Sequence, residues 1–183
     1  MAMQPMFTVP LFRFRVPDWP EHKGRILAGL PPSAPELLSP AGDTYTDFFV
    51  NATARVLPSY RDVVVKAVEP CLQEFAEGYP ENPKIDAMWF ERSRRSNYHG
   101  AHNHGSLGFS AVLYVEFDPA LHKPTRFLAP FMSFYAGGLI EYLPTDIEEG
   151  TLVVFPAILI HEAPPNSSDK LRTIVSFNIK GRA

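Results

Sequence analysis

Hydrophobic runs separated by short polar turns dominate the chain from residue 84 onward. The runs are rich in β-branched and aromatic residues, and Pro144-Thr145-Asp146 and Glu149-Gly150 are two of the turns between them. We predict strands over residues 85–90, 108–117, 131–135, 138–143, 151–160 and 172–179. Six or more short strands after a helical segment predict a mainly β fold of the α+β type, a β-sandwich or jelly roll with helices packed on one face.

The first 83 residues carry a different pattern, which predicts a support of extended and helical segments. Residues 7–16 alternate roughly as an edge strand does, and the prolines that follow favour an extended loop over a helix. Residues 44–78 are predicted to be helical, because apolar residues recur there with a period of about 3.6. Ser59 with Asp62 has the spacing of a capping box, and Pro70 should kink or split the helix.

Length and composition place the chain among globular proteins. Its 183 residues, 45% of them hydrophobic, suffice for one domain over residues 1–183, with 1–83 as support and 84–180 as the core. The formal net charge of −3 gives no electrostatic reason to bind nucleic acid or an anionic membrane. No apolar run reaches membrane-spanning length. The lone Cys71 excludes an intramolecular disulfide, and the amino terminus lacks a secretory pattern, so we expect a cytoplasmic protein.

Three histidines are the strongest candidates for chemistry. His102 and His104 are one residue apart, so both would face the same side of a strand. His161 follows an apolar strand and would lie where that strand leaves the core, and a jelly roll can bring it close to the other two. Imidazole suits iron, copper, nickel and zinc, so the three predict a metal site. The remaining histidines are expected to be ordinary surface or core residues: His22, His99 and His122.

Arg172 adds a group that can bind an anion, ten residues beyond His161. Strand alternation would place Arg172, Ile174 and Ser176 on one face. A buried arginine is costly without an anion, and its planar fork matches a carboxylate. That anion is either a co-substrate beside the metal or a protein carboxylate. Three imidazoles and a guanidinium together predict a mononuclear iron oxygenase. The candidate protein carboxylates are Glu141, Glu148 and Glu162.

The same region carries a resemblance to a known superfamily. The chain resembles the 2-oxoglutarate/iron(II)-dependent dioxygenases, and more narrowly a bacterial and phage branch related to the prolyl hydroxylases. The resemblance covers roughly residues 84–180 and includes the H-x-H pair and the distal histidine and arginine. The residues that carry it are 98–106, 110–115, 150–156, His161, Pro165-Asn166, Arg172 and 176–179.

The resemblance implies a double-stranded β-helix with iron(II) at one mouth and 2-oxoglutarate as co-substrate. His102 would match the first histidine of the family's H-x-D/E motif, His161 the distal histidine, and Arg172 the arginine that holds the far carboxylate of 2-oxoglutarate. Tyr98 and Tyr114 lie where they could line the co-substrate pocket. The implied activity is hydroxylation of a primary substrate with conversion of 2-oxoglutarate to succinate, and no catalytic residue beyond the metal ligands is implied.

Two positions depart from the family's pattern. His104 stands where the acidic ligand is expected, which implies a three-histidine centre without a charged ligand. Otherwise His104 does not bind, and a carboxylate from elsewhere or water fills that position. Ile174 stands where a serine is common, so Ser176 or Tyr114 would supply the second hydrogen bond to the co-substrate. The primary substrate is left open, and the loop at residues 118–126 is where its specificity would lie.

Two other functions are compatible with the histidines. A cupin-like three-histidine dioxygenase would act directly on a small substrate, but the glutamate usual after its H-x-H is missing from residues 105–110. A non-catalytic β-sandwich module would use the histidines for a structural metal or for none. A closed zinc site needs four ligands, and the sequence offers three candidates.

Overall fold

The computed structural model describes residues 8–41, 43–54, 57–79 and 83–180. Its helices are α1 Trp19–Gly29, α2 Phe48–Ala54 and α3 Arg61–Gly78, with a 3₁₀ turn at Pro35–Leu37. Its strands are β1 Phe12–Arg15, β2 Tyr45–Thr46, β3 Lys84–Ser93, β4 His99–His102, β5 Phe109–Glu116, β6 Arg126–Met132, β7 Leu139–Tyr142, β8 Thr151–Pro156, β9 Ile160–Ala163 and β10 Arg172–Lys180.

The strands form two antiparallel sheets. The larger sheet has the order β1-β8-β5-β10-β3-β2 and the smaller one the order β4-β9-β6-β7. Neighbours in both sheets are mostly distant in sequence, as jelly-roll connections require. The predicted mainly β jelly roll is therefore confirmed. No helix in the described ranges is long and apolar enough to cross a membrane.

Alternation along the central strands divides their side chains between two cores. Leu152 and Val154 of β8 join the core under the helices, whereas Val153 and Phe155 join the core between the sheets. Phe155 there meets Phe127 of β6 with ring centroids 4.8 Å apart. This double burial explains why β8 reads as a continuous apolar run instead of an alternating one.

Helices α1 and α3 cover the outer face of the larger sheet. Ile26 of α1 and Val68 and Phe75 of α3 are buried in one cluster with Phe90 of β3 and Phe177 of β10. Cys71 of α3 is also buried there, as predicted for a small core residue. The helical support and the strands thus share a core, which leaves the face between the two sheets for the site.

Several predictions about the first 83 residues are corrected. The proline-rich segment contains α1, because Pro20 lies in the first helical turn, where a missing backbone N–H breaks no hydrogen bond. Helix α3 starts with Tyr60 as its N-cap and has no side-chain cap, so the predicted capping box is absent. Pro70 lies inside α3 without splitting it. Residue 7 of the predicted edge strand and residues 55–56 of the predicted helix lie outside the described ranges.

Two strand predictions are also corrected. The run at 131–135 belongs to β6 only up to Met132, and its next residues form a turn in which Gly137 N–H donates to Ser133 O. The run at 151–160 breaks after Pro156, where a turn sends the chain from the larger sheet to the smaller one. Because of this break, His161 lies on β9 in the smaller sheet and not at the end of β8.

Candidate metal centre

The three predicted ligands converge at the end of the smaller sheet. His102 is the last residue of β4 and lies directly opposite His161 of β9 in the strand register. His104 lies beyond the end of β4, so the strand expected to carry the H-x-H pair ends two residues before His104. The His104 N–H instead donates to Ala157 O (2.9 Å), in the turn between β8 and β9. That bond brings His104 to the same place as the other two.

The spacing of the three imidazoles fits one metal ion. Their candidate ligand nitrogens all lie within 4.8 Å of one another. The Nε2 atoms of His104 and His161 are 3.3 Å apart. Metal–nitrogen bonds of about 2.0–2.1 Å at angles between octahedral and tetrahedral values would separate two ligand nitrogens by roughly 2.8–3.4 Å.

Backbone carbonyls orient two of the rings. The Nδ1 of His102 lies 2.7 Å from Gly100 O, and the Nδ1 of His161 lies 2.9 Å from Leu159 O. A carbonyl can only accept, so each Nδ1 carries the proton and each Nε2 keeps its lone pair for a metal. Secondary contacts of this kind are the usual way in which proteins orient histidine ligands.

Burial keeps these imidazoles neutral. Burial, together with the charges of neighbouring histidines, lowers the pKa of His161 to about 3 and that of His104 to about 4. Burial also lowers the pKa of His102. Neutral imidazole is the form that binds metal, so the folded protein presents three nitrogens ready to bind at neutral pH.

The metal-free protein should lose stability as the pH falls from 7 to 4. The unfolded chain protonates a histidine near pH 6.5, whereas the folded chain protonates His161 only near pH 3. For His161 alone the loss at pH 5 is about 2 kcal/mol. Urea unfolding of wild type and His161→Gln at pH 7 and pH 5 measures this, and the variant should lose less. An equal loss in both proteins would contradict the neutral-imidazole assignment.

The cavity around the histidines is lined by side chains of both sheets. They include Ser176, which was predicted, together with Trp89 and Phe155. The sequence analysis missed Glu91, His99 and Thr125, which also line the cavity. His99 was predicted to be an ordinary histidine, yet its ring stacks on His102 with centroids 4.1 Å apart. The sequence signal was available, since His99 starts the same strand that His102 ends.

Arg172 is buried, and its guanidinium is only partly bonded. It starts β10 and is 4% exposed, and its guanidinium carbon lies 6.0 Å from the centre of the Tyr114 ring. Its Nε and Nη2 atoms have no hydrogen-bond partner among the described residues. Its positive charge lowers the pKa of Glu91, which lines the cavity. Arg172 is not one of the residues that line the cavity, but it lies close enough to Glu91 and His99 for its charge to act on both. A buried guanidinium with unpartnered nitrogens fits a carboxylate ligand, because such a charge is otherwise strongly unfavourable.

The protein carboxylates considered as partners of Arg172 are engaged elsewhere. Glu162 accepts a hydrogen bond from Arg126 Nε (2.8 Å), and Glu141 lies 3.1 Å from the same guanidinium. Glu148 pairs with Arg15. No carboxylate of the described residues forms an ion pair with Arg172, although Glu91 lies close enough for the two charges to interact.

The other three residues predicted to bind the co-substrate lie in different surroundings. Ser176 lines the cavity, and none of the described residues forms a hydrogen bond with its hydroxyl. Tyr114 is fully buried, and its hydroxyl donates to Thr125 Oγ1 (2.9 Å) while accepting from Thr125 N–H (2.9 Å). The Thr125 hydroxyl therefore keeps its own proton and can donate it into the cavity. Thr125 thus takes the hydrogen-bonding role that was predicted for Tyr114. Tyr98 is 45% exposed and lies outside the cavity lining, because it precedes β4 at the surface.

The fold and the site define a class: a double-stranded β-helix protein with three candidate metal-binding histidines between its sheets. Residues 87–178 match the family described as "Putative 2OG-Fe(II) oxygenase", half of the chain, and the protein belongs to this family. The predicted superfamily is confirmed, and its cofactors are iron(II) and 2-oxoglutarate. No curated protein sequence matches the chain.

Solved structures share the fold at low sequence identity. HygX from Streptomyces hygroscopicus, with nickel and 2-oxoglutarate bound, is 11% identical with a TM-score of 0.62, over 95% of this chain and 84% of HygX. The viral collagen prolyl hydroxylase of Paramecium Bursaria Chlorella virus-1, in complex with 2-oxoglutarate, is 11% identical with a TM-score of 0.58, over 94% and 96%. A 2OG-Fe(II) oxygenase family oxidoreductase from Burkholderia pseudomallei is 15% identical with a TM-score of 0.50; the match covers 68% of this chain and only 57% of that one.

Proposed function

We propose that the protein is an iron(II)- and 2-oxoglutarate-dependent hydroxylase with a three-histidine centre. His102, His104 and His161 would hold the metal, and Arg172 would bind the far carboxylate of 2-oxoglutarate. One observation carries the proposal: three neutral imidazoles converge close to a buried guanidinium, two of whose nitrogens have no hydrogen-bond partner among the described residues.

The chain's own residues would position the co-substrate. Ser176 and Thr125 each offer a hydroxyl to the cavity, and both can add a hydrogen bond to a carboxylate held by Arg172. Ile174 stands where the family commonly has a serine, and it lines the cavity as an apolar wall. This arrangement supports Ser176 and Thr125, not Tyr114, as the second donors.

Bound iron(II) with 2-oxoglutarate supplies the oxidising chemistry of this family, in which dioxygen is activated and 2-oxoglutarate becomes succinate and carbon dioxide. The protein's contribution is to fix the ligands and to keep water away. Phe155, Ile174 and Val112 form an apolar part of the cavity wall, and all three are buried. A dry wall strengthens the electrostatic contacts inside the site.

We also infer that the chain forms a single domain and is located in the cytoplasm. One hydrophobic cluster includes α1, α3 and the strands, which supports a single domain over residues 1–183. Cys71 is a buried free thiol, which is compatible with a reducing compartment, and we infer the cytoplasm.

Ligand-dependent thermal unfolding tests the function without knowledge of the primary substrate. Nickel(II) or anaerobic iron(II) should raise the melting temperature, and 2-oxoglutarate should raise it further only when the metal is present. At 100 times its Kd, a ligand adds about 2.7 kcal/mol to stability. Labelled 2-oxoglutarate should also yield carbon dioxide slowly with iron(II) in air. No shift with either ligand and no labelled carbon dioxide would contradict the proposal.

A further inference from the structure

Glu91 is a buried carboxylate that the proposed ligand set does not use. It lies on β3, is 6% exposed and lines the cavity beside the three histidines. Burial alone would raise its pKa, but the hydrogen bonds and charges of His99, Trp89 and Arg172 outweigh burial and lower the pKa to about 2. Glu91 is therefore negatively charged, and it lies outside the cluster of candidate ligand atoms.

One oxygen of Glu91 connects to two of the ligand rings through intermediate side chains. Its Oε1 accepts from Trp89 Nε1–H (3.1 Å) and lies 2.9 Å from His99 Nδ1. The His99 ring stacks on His102, with centroids 4.1 Å apart and planes 15° apart. The Trp89 ring lies against His104, with centroids 5.3 Å apart. Glu91 thus fixes two rings, and each of them packs on a different candidate ligand.

The charge of Glu91 also acts on all three imidazoles. Glu91 lines the same cavity as His102, His104 and His161. Its negative charge therefore favours a cation held among the three rings. A three-histidine set is neutral, so no ligand offsets the charge of a bound divalent ion.

We propose that Glu91 is the carboxylate of this centre, acting from outside the ligand set. It positions His102 through His99 and His104 through Trp89, and it supplies the negative charge that the ligands lack. This inference rests on the proposed function and adds a positioning residue to it. Substituting a carboxylate that hydrogen-bonds a metal-bound histidine commonly lowers metal affinity by about 10- to 100-fold. Glu91 differs in that it acts on the ligands through the packed rings of His99 and Trp89.

Two substitutions separate the charge of Glu91 from its contacts. Glu91→Gln keeps an acceptor oxygen for His99 and Trp89 but removes the charge, so nickel(II) affinity should fall by about 10-fold. Glu91→Ala removes both and should cost about 100-fold. The matched control is Glu116→Gln, because Glu116 is a half-buried glutamate of the same sheet that hydrogen-bonds Thr173 outside the cavity. The control should bind nickel like wild type.

The reduction potential of the iron-loaded protein provides a second readout that a merely structural role would not change. Loss of the negative charge should raise the potential of Glu91→Gln, because the carboxylate stabilises iron(III) more than iron(II). Wild-type nickel affinity and potential in folded Glu91→Gln would overturn the inference while leaving the proposed function intact. A loss of nickel as complete as in a ligand variant would also overturn it, since Glu91 would then be a ligand. Failure of wild type to bind nickel would overturn both.

Discussion

Replacing Arg172 with methionine should weaken 2-oxoglutarate binding by roughly 30- to 1000-fold while leaving metal binding unchanged. The guanidinium has two buried nitrogens without partners, so a bound carboxylate would supply hydrogen bonds that the protein does not. Loss of one partner from a buried, charged hydrogen-bonded pair costs about 2–4 kcal/mol, and each 1.4 kcal/mol is tenfold in affinity. Calorimetric titration of 2-oxoglutarate into the nickel-loaded protein measures the change.

The same substitution should leave the ligand-free protein as stable as wild type, or more so. A buried charge without a partner opposes folding, and an apolar side chain of similar length removes that penalty. Arg92→Met is the matched control, because Arg92 is also buried but donates a hydrogen bond to the Pro31 carbonyl. It should lower the melting temperature and leave 2-oxoglutarate binding intact. Equal loss of metal and 2-oxoglutarate in Arg172→Met would show that Arg172 is structural.

Replacing His161 with glutamine should reduce metal affinity by more than about 100-fold. That loss exceeds the roughly 10- to 100-fold loss typical of substituting a residue that only supports a metal ligand. His161 is 5% exposed, and its Nδ1–H is held by Leu159 O, so Nε2 is the ring nitrogen left to bind the metal. His122→Gln is the control. His122 is equally buried but bonds to the Lys170 carbonyl and the Asp118 N–H, away from the cavity. The control should lose stability and keep its metal, and loss of metal in both variants would contradict the assignment.

The strand pattern could be predicted because burial on two faces leaves a clear hydrophobic signal. Val153 and Phe155 alternate with Leu152 and Val154 between two cores, and this apolar run was found without difficulty. The helix α1 was missed because Pro20 was taken as a helix breaker, although it lies in the first turn, where proline is tolerated.

The sequence predicted those residues of the candidate site that belong to a recognisable motif. His102, His104, His161 and Arg172 were found from spacing and from a resemblance. Their neighbours were not, because Glu91 and Thr125 reach the cavity from strands and loops that are distant in sequence. Tyr114 shows the limit most clearly, since only the fold reveals that Thr125 already bonds with its hydroxyl.

His104 remains the position where this chain departs from its family, and X-ray absorption at the iron edge tests its role most directly. The anaerobic iron(II) protein should show scattering from three imidazoles, because the three candidate nitrogens lie within 4.8 Å of one another. The His104→Ala variant should then show two. Two imidazoles in wild type, unchanged in His104→Ala, would contradict the three-histidine centre.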